Sequence, residues 1–195
     1  MKPFLKISLL FSLTVLGFSF LHAQEKVQEF TVSHVIHAPA DKVWAVVGED
    51  YGAIANSHPK IISSDYINGS LQAGEGAERV CNFNESGTKY LKEKQVNYDP
   101  TNYTFTNQVY QAGKFPVDPA NTFAVYRVEP IDDNSCRFVF EMTYRTIPPM
   151  MGGMMKRSFK SLVADYAVAV EHHVNTGEKV NKDNFKQLKR EISAR

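Results

Sequence analysis

The stretch "VIHAPADKVWAVVGEDYG", residues 35–52, changes its hydrophobic period within a few positions. Upstream of it, from residue 27, apolar and polar residues alternate, which is typical of a strand with one buried face. Within it, Pro39 suits the first turn of a helix, and Asp41 suits the positive end of that helix. The apolar residues that follow predict one buried helical side: Val43, Trp44, Val46 and Val47. The stretch therefore predicts a strand joined to a short helix, and a second helical turn is expected over residues 51–56.

The N-terminus has the layout of a secretory signal peptide. Lys2 and Lys6 provide a positive segment, residues 7–21 form an apolar run, and Ala23 stands at a plausible cleavage position. A run of about 15 residues is short for a membrane anchor, the alternative, which needs roughly 20. We therefore expect cleavage after residue 23, a secreted or periplasmic protein, and no stable membrane anchor after cleavage.

Downstream of the opening stretch, six further strands are predicted between turn signals. Asn-Gly, Asp-Pro and Asp-Asp-Asn sequences separate them, and the short gaps between strands favour antiparallel neighbours. The predicted strands cover residues 61–67, 76–83, 89–98, 103–110, 122–129 and 137–145.

A long amphipathic helix is predicted over residues 150–175. One stripe of residues recurs every three or four positions: Met151, Met155, Phe159, Leu162, Tyr166, Val170 and His173. The helix would be about 38 Å long, and Gly177 suits its C-terminal cap. It is the one predicted element large enough to cover the sheet. The sequence therefore predicts an α+β domain over residues 24–177. Residues 178–195 form a charged tail, either a short helix or a solvated segment.

Composition excludes some functions and leaves others open. Lys and Arg number 22 and Asp and Glu number 21, and this near-neutral balance argues against nucleic-acid binding. The spacing of His, Cys and acidic residues matches no metal-binding pattern, so no metal or cofactor is expected. Cys81 and Cys136 are either two buried thiols or one disulfide, and the sequence does not decide between them.

In order and spacing, the opening stretch, "GEGAERV" (residues 74–80), "YLKEKQVNYD" (residues 90–99) and the closing helix resemble the START/Bet v 1-like (SRPBCC) superfamily. The similarity is strongest to its polyketide cyclase/dehydrase-like branch. It implies a helix-grip fold, in which a curved seven-stranded antiparallel sheet wraps around the C-terminal helix and encloses a cavity. Two departures are His37, where many members have Asp, and Lys94-Gln95, where they have Arg-Leu. Such a fold does not by itself determine function.

The resemblance also suggests which residues face this cavity. Neither face of the strand around Glu93 is clearly apolar, but related proteins often point this Glu inward. Periodicity would point Glu141 outward, whereas related ligand-binding proteins with a Glu there point it inward. Arg79 is a candidate partner for a buried carboxylate, either in a ligand site or in a purely structural pair. His58 is expected near the cavity mouth. The expected helical wall is Met151, Met155, Phe159, Leu162 and Tyr166.

Three functions remain open at this point. The leading hypothesis is an exported protein that binds a small hydrophobic or amphipathic molecule, such as a lipid or a polyketide. The alternative is a cyclase or dehydratase that uses Glu93, Glu141, Arg79 and Tyr166 as acid and base groups. A third alternative is dimerisation through an aromatic strand face, so the protein could be a monomer or a dimer. That face comprises Phe138, Phe140, Met142 and Tyr144. We interpret the Met-rich segment around Gly152 and Gly153 as a pliable end of the pocket.

Overall fold

Seven antiparallel strands form one sheet in the computed structural model, which describes residues 27–193. The predicted signal peptide lies outside the described residues. The sheet order is β1-β7-β6-β5-β4-β3-β2, so the first strand pairs with the last and every other neighbour is adjacent in sequence. The predicted strand number and pairing are confirmed. The strands are Gln28–Ile36 (β1), Ser63–Tyr66 (β2), Glu78–Asn82 (β3), Tyr90–Asp99 (β4), Thr104–Ala112 (β5), Phe123–Asp132 (β6) and Ser135–Tyr144 (β7).

The helices follow the predicted order. Helix α1 (Ala40–Trp44) continues into a π-helical turn (Ala45–Glu49) and a 3₁₀ helix (Tyr51–Asn56). The long helix α2 (Gly152–Thr176) ends at Gly177, whose φ of 74° is the left-handed conformation that favours glycine. Two short 3₁₀ turns and a third helix complete the fold: Pro119–Asn121, Pro149–Met151 and Phe185–Ser193 (α3). Within residues 27–193, no helix combines the length and apolarity needed to cross a bilayer.

Helix α2 packs on the aromatic face of β7. Phe138 and Tyr144 are almost fully buried, and their rings contact Tyr166 and Phe159 of the helix at centroid distances of 5.8 and 4.9 Å. Aromatic side chains supply large buried areas, so this contact is a main source of core stability. The hypothesis that the β7 face serves for dimerisation is therefore wrong, because α2 already covers that face.

Helix α1 closes one end of the sheet through Trp44. Its indole ring lies within 6 Å of the rings of Tyr98, Tyr103 and Phe105, with centroid distances of 5.6, 5.7 and 5.9 Å. The 3₁₀ helix that follows starts at Tyr51, which is fully buried against Phe105. The period change in the opening stretch thus places a tyrosine at the inner end of the domain, beside the polar residues described below.

The C-terminal tail forms a helix, the first of its two predicted alternatives. Phe185 and Leu188 of α3 pack with Ala169 of α2 and with Val180 in a small second cluster. At its edge, Lys189 Nζ donates to Asp165 Oδ1 at 2.6 Å.

The two cysteines are free, buried thiols on separate strands, Cys81 on β3 and Cys136 on β7. The disulfide alternative is therefore wrong. In the sheet order β7 and β3 are separated by β6, β5 and β4, which keeps the two thiols apart.

Candidate functional site

A cavity lies between the inner face of the sheet and helix α2. Its volume is about 90 Å³, which is small beside the roughly 300–1,000 Å³ of most ligand pockets. Its walls are mostly apolar, with a few polar residues at one end. The apolar lining includes Ile54, Ile61, Phe83, Leu91, Val109, Phe115, Val117, Tyr126, Phe140, Phe159, Leu162 and Val163.

The polar end of the cavity is built on a buried ion pair. Arg79 of β3 and Glu93 of β4 are direct partners in the antiparallel register, so both side chains leave the same face of the sheet. Arg79 Nε donates to Glu93 Oε2 at 2.7 Å, and the two residues are only 2% and 7% exposed. The expectation that Glu93 points inward is confirmed, as is its pairing with Arg79.

Asn107 and Tyr51 complete this polar cluster. The Asn107 amide donates to Glu93 Oε1 at 2.9 Å, and its Oδ1 accepts from the Tyr51 hydroxyl. Arg79 Nη1 donates to the Tyr51 carbonyl oxygen at 2.8 Å, and the guanidinium lies 4.0 Å from the centroid of the Tyr51 ring. The Cys81 thiol donates to Glu93 Oε2 at 3.4 Å. Each carboxylate oxygen of Glu93 thus already accepts at least one hydrogen bond from the protein.

The charge of Arg79 is well stabilised. Burial acts to lower the pKa of the guanidinium, but the Glu93 carboxylate and neighbouring groups hold that pKa above its usual range. A buried charge is costly unless it is paired and hydrogen-bonded, and both conditions are met here. The pair therefore behaves as one internally neutral unit at the end of the cavity.

His58 lines the cavity as a neutral donor. Its Nδ1 accepts from the backbone N–H groups of Lys60 and Ile61 at 3.0 and 3.2 Å, so the proton of the neutral ring must lie on Nε2. Burial and the Arg79 charge lower the pKa of His58 to about 3. The ring stacks on Tyr166 with a centroid distance of 5.0 Å. In the described part of the chain, no protein group accepts a hydrogen bond from Nε2.

Tyr166 offers a second neutral donor. It comes from α2, lines the cavity and is nearly fully buried. Burial raises the pKa of Tyr166 well above its usual range, so its hydroxyl keeps its proton. Its hydroxyl has no hydrogen-bond partner among residues 27–193. The cavity therefore combines an apolar body with two neutral donors and one internally neutralised ion pair.

The predicted helical wall is only partly correct. Phe159, Leu162 and Tyr166 line the cavity, as expected. Met151 and Met155 lie outside the lining, since Met151 belongs to the 3₁₀ turn before α2 and Met155 packs half-buried against the core. The wall thus begins at Phe159. That the residues of this wall bind a ligand stays a prediction.

Glu141 points away from the cavity, which corrects the inward placement that the resemblance implies. Its side chain is 42% exposed and receives two hydrogen bonds from Arg127 on the outer face of the sheet, at 2.7 and 3.1 Å. The reason is the alternation of β7, in which Phe138 and Phe140 take the inner positions. Periodicity was right at this residue and the resemblance was wrong.

Sequence reasoning did not select Asn107, Tyr51 or Tyr126 as site residues. A signal existed for Asn107, because it lies two positions from both Phe105 and Val109 and so shares their inner face. For Tyr51 the sequence predicts only a helical turn, and nothing in the local pattern gives the direction of its hydroxyl. Among residues 27–193, no three His, Cys or acidic side chains are grouped closely enough to hold a metal ion.

A comparison with models of known protein families gives a match over most of the chain. Residues 27–171 match the model of the family described as polyketide cyclase / dehydrase and lipid transport. The chain belongs to this family. The resemblance seen in the sequence is therefore confirmed, and the matched range includes all seven strands and most of α2. A search among curated proteins found no match.

Solved structures share the fold of this polyketide cyclase-type chain. A protein from Thermobifida fusca is 25% identical, with a TM-score of 0.63 and coverage of 78% of this chain and 96% of that one. Norcoclaurine synthase from Thalictrum flavum is 16% identical, with a TM-score of 0.58 and coverage of 79% and 96%. The di-domain ARO/CYC protein BexL from the BE-7585A biosynthetic pathway is 17% identical, with a TM-score of 0.60 and coverage of 76% and 46%. At the identities of the last two, the likeness concerns the fold alone.

Proposed function

We propose that this protein binds a small apolar molecule that carries one hydrogen-bond acceptor, such as a carbonyl or hydroxyl oxygen. The observation that carries the proposal is the pairing of an apolar lining with two neutral donors, His58 Nε2 and the Tyr166 hydroxyl, that have no protein partner among residues 27–193. Both residues line the cavity, so an acceptor oxygen on a ligand would give these donors a hydrogen bond. Apolar walls with a few oriented polar groups are typical of ligand pockets.

The size of the cavity restricts the ligand or requires the cavity to open. About 90 Å³ holds a few water-sized groups, less than an engineered cavity of about 150 Å³ that binds benzene. A lipid or a polyketide would therefore have to displace side chains from the lining. Phe83, Phe115 and Phe159 form a contiguous aromatic end of the cavity, with centroid distances of 4.7 and 6.3 Å. These rings are the groups we expect to move.

Ligand binding can be tested with a matched pair of ligands on the full chain. A fluorescent apolar probe is displaced first by a medium-chain ketone and then by an alkane of equal length. We expect the ketone to bind about five to ten times more tightly, because one net hydrogen bond is worth about 1 kcal/mol. Tyr166→Phe should reduce this preference, whereas Tyr144→Phe should not, since the Tyr144 hydroxyl already donates to the Gly152 carbonyl. Failure of every apolar compound to displace or bind would end the proposal.

A cyclase or dehydratase activity is the second candidate function. It is favoured by the convergence of Arg79, Glu93, Asn107 and Tyr51 at one end of the cavity. Against it, both Glu93 oxygens already accept hydrogen bonds from the protein, and Nδ1 of His58 accepts from the backbone, so neither residue presents an unoccupied base to a substrate. Turnover of a poly-β-ketone analogue that Glu141→Gln preserves and Glu93→Gln abolishes, in a Glu93→Gln protein that circular dichroism shows to be folded, would reverse this order of preference.

We further propose that the protein is exported. Support comes from the charged and apolar segments that precede Ala23. N-terminal sequencing of the protein recovered from the extracellular and periplasmic fractions should begin at Gln24. Recovery of the intact N-terminus from the cytoplasm would contradict export.

A further inference from the structure

The start of helix α2 exposes an unusual group of apolar side chains. Met150 and Met154 are 82% and 81% exposed, and Ile147 is 60% exposed. Isolated exposed apolar residues are common, but three of them within eight positions form a local patch, which is more often functional. Ile147 lies just before the 3₁₀ turn Pro149–Met151, Met150 lies in that turn, and Met154 lies in the first turn of α2.

Positive charge surrounds these apolar side chains. Lys156, Arg157 and Lys160 are all exposed, and residues 146–164 contain no Asp or Glu. In the described part of the chain, none of the three cations forms an ion pair. Lys60 lies across a shallow groove that it shares with Met154 and Arg157. The acidic residue of that groove, Asp165, is already paired with Lys189 at 2.6 Å, so the local charge is strongly positive.

We propose that this Met/cation patch docks on an anionic lipid bilayer. The patch comprises Ile147, Met150, Met154, Lys156, Arg157 and Lys160. Flexible thioether side chains can enter the boundary between headgroups and acyl chains, while the adjacent cations contact lipid phosphates. Each Lys or Arg near an anionic membrane adds about a five-fold increase in partitioning. This charge complementarity identifies the occupant as a negatively charged membrane surface.

Docking in this way would orient the cavity toward the lipid. Phe159 and Leu162 line the cavity only one to two turns after Met154. The helix therefore links the proposed membrane contact to the aromatic end of the cavity. Vesicle docking can be measured without any ligand, so its failure would leave the proposed ligand binding untouched.

A local fluorescent probe tests the patch directly. In the full chain, Met154→Cys is labelled with an environment-sensitive dye, and native Cys81 and Cys136 are buried and should not react. Leu71→Cys is the matched control, since Leu71 is 69% exposed in the segment between β2 and β3. With vesicles of phosphatidylcholine and phosphatidylglycerol, we expect a blue shift at position 154 and none at position 71. Phosphatidylcholine alone, or high salt, should abolish the shift.

Charge variants provide the second measurement. Arg157→Gln with Lys160→Gln should lower vesicle partitioning about 25-fold at low salt, because two cations are lost. Lys179→Gln with Lys186→Gln changes the net charge equally on another exposed surface and should have little effect. The local dye also separates patch docking from anchoring through residues 7–21. The proposal is overturned if vesicles bind without a dye shift at position 154, or if the dye shifts equally at positions 154 and 71. It is also overturned if the dye at position 154 shifts with an acidic protein but not with anionic vesicles.

Discussion

Arg79 and Glu93 face each other across β3 and β4 and form a buried ion pair, with 2.7 Å between Nε and Oε2. The pair lies at the polar end of the cavity, and the rest of the cavity lining is mostly apolar. Replacement of such a pair by apolar residues can leave stability unchanged, whereas loss of one partner leaves an uncompensated buried charge. Its role is therefore best measured by removing the partners separately and together.

Removal of one charge from this pair should strongly destabilise the fold. We expect Glu93→Gln to lower the free energy of unfolding by about 3–5 kcal/mol, because the Arg79 guanidinium stays buried without its counter-ion. Urea unfolding at neutral pH measures the change. Glu141→Gln is the matched control, and its half-exposed pair with Arg127 should contribute only about 0–1 kcal/mol.

The double variant tests the coupling between the two residues. Arg79→Met combined with Glu93→Gln should cost clearly less than the sum of the two single changes, since neither charge then remains. Coupling between contacting residues is typically about 0.5–3 kcal/mol. Strict additivity in the urea data would mean that the ion pair does not act as a unit.

Acid sensitivity should originate partly at His58. Its pKa is lowered from 6.5 to about 3 in the folded protein, so the unfolded chain binds the proton more readily. Stability is then fully present above pH 6.5 and is lost as the pH falls toward 3. Between about pH 7 and about pH 4.5, this residue should account for a loss of roughly 2–3 kcal/mol.

His58→Asn is the variant that tests this contribution. The Asn Oδ1 can still accept the backbone N–H groups that Nδ1 accepts, but the side chain does not titrate. The variant should therefore lose less stability than the wild type over this pH range. The comparison stops near pH 4.5 because of Glu171. Burial acts to raise the pKa of this carboxyl, but hydrogen bonds from His34 and His37 lower it to about 2. Equal pH profiles for variant and wild type would exclude His58 as the source.

The fold was more predictable from the sequence than the site. Strand alternation and the helical stripe depend on burial of apolar side chains, a local pattern that β7 and α2 display clearly. The strand of Glu93 has no such pattern, since Leu91, Glu93 and Gln95 share the inner face and two of these three are polar. Their burial depends on Arg79, Asn107 and other partners from distant segments, which local periodicity does not contain.

The resemblance gave the right direction for Glu93 and the wrong one for Glu141. The difference lies in the partners available on each face. Inside, Glu93 meets the guanidinium of Arg79, which offsets the cost of burying its charge. Outside, Arg127 is positioned to pair with Glu141, while the inner positions of β7 are occupied by aromatic rings. Cross-strand partners therefore decide a carboxylate's orientation, and these partners are known only once the register is known.

Phe159 is expected to limit the size of the cavity. Its ring contacts Tyr144 and Phe115, and we expect Phe159→Ala to lower the free energy of unfolding by about 3–5 kcal/mol. The same change should increase the affinity for bulky apolar probes, because it removes a wall. Val170→Ala is the control on the same helix; it should cost roughly 1–3 kcal/mol without any gain in affinity, since Val170 lies outside the cavity lining.

Gly152 and Gly153, which lie in the segment interpreted from the sequence as a pliable end of the pocket, should respond differently to a methyl group. A Cβ on Gly153 would meet no atom within 4 Å, so Gly153→Ala should stabilise the helix by about 0.5–1 kcal/mol. A Cβ on Gly152 would lie 2.9 Å from Gln28 Cγ, so Gly152→Ala should be less stable than Gly153→Ala by about 1–2 kcal/mol. Thermal unfolding measures both. Gly152 packs closely against Gln28 of β1, so we do not expect the start of α2 to act as a hinge. Gly153→Ala should therefore leave the rate at which an apolar probe enters the cavity unchanged in stopped-flow mixing. A marked slowing would instead favour a hinge.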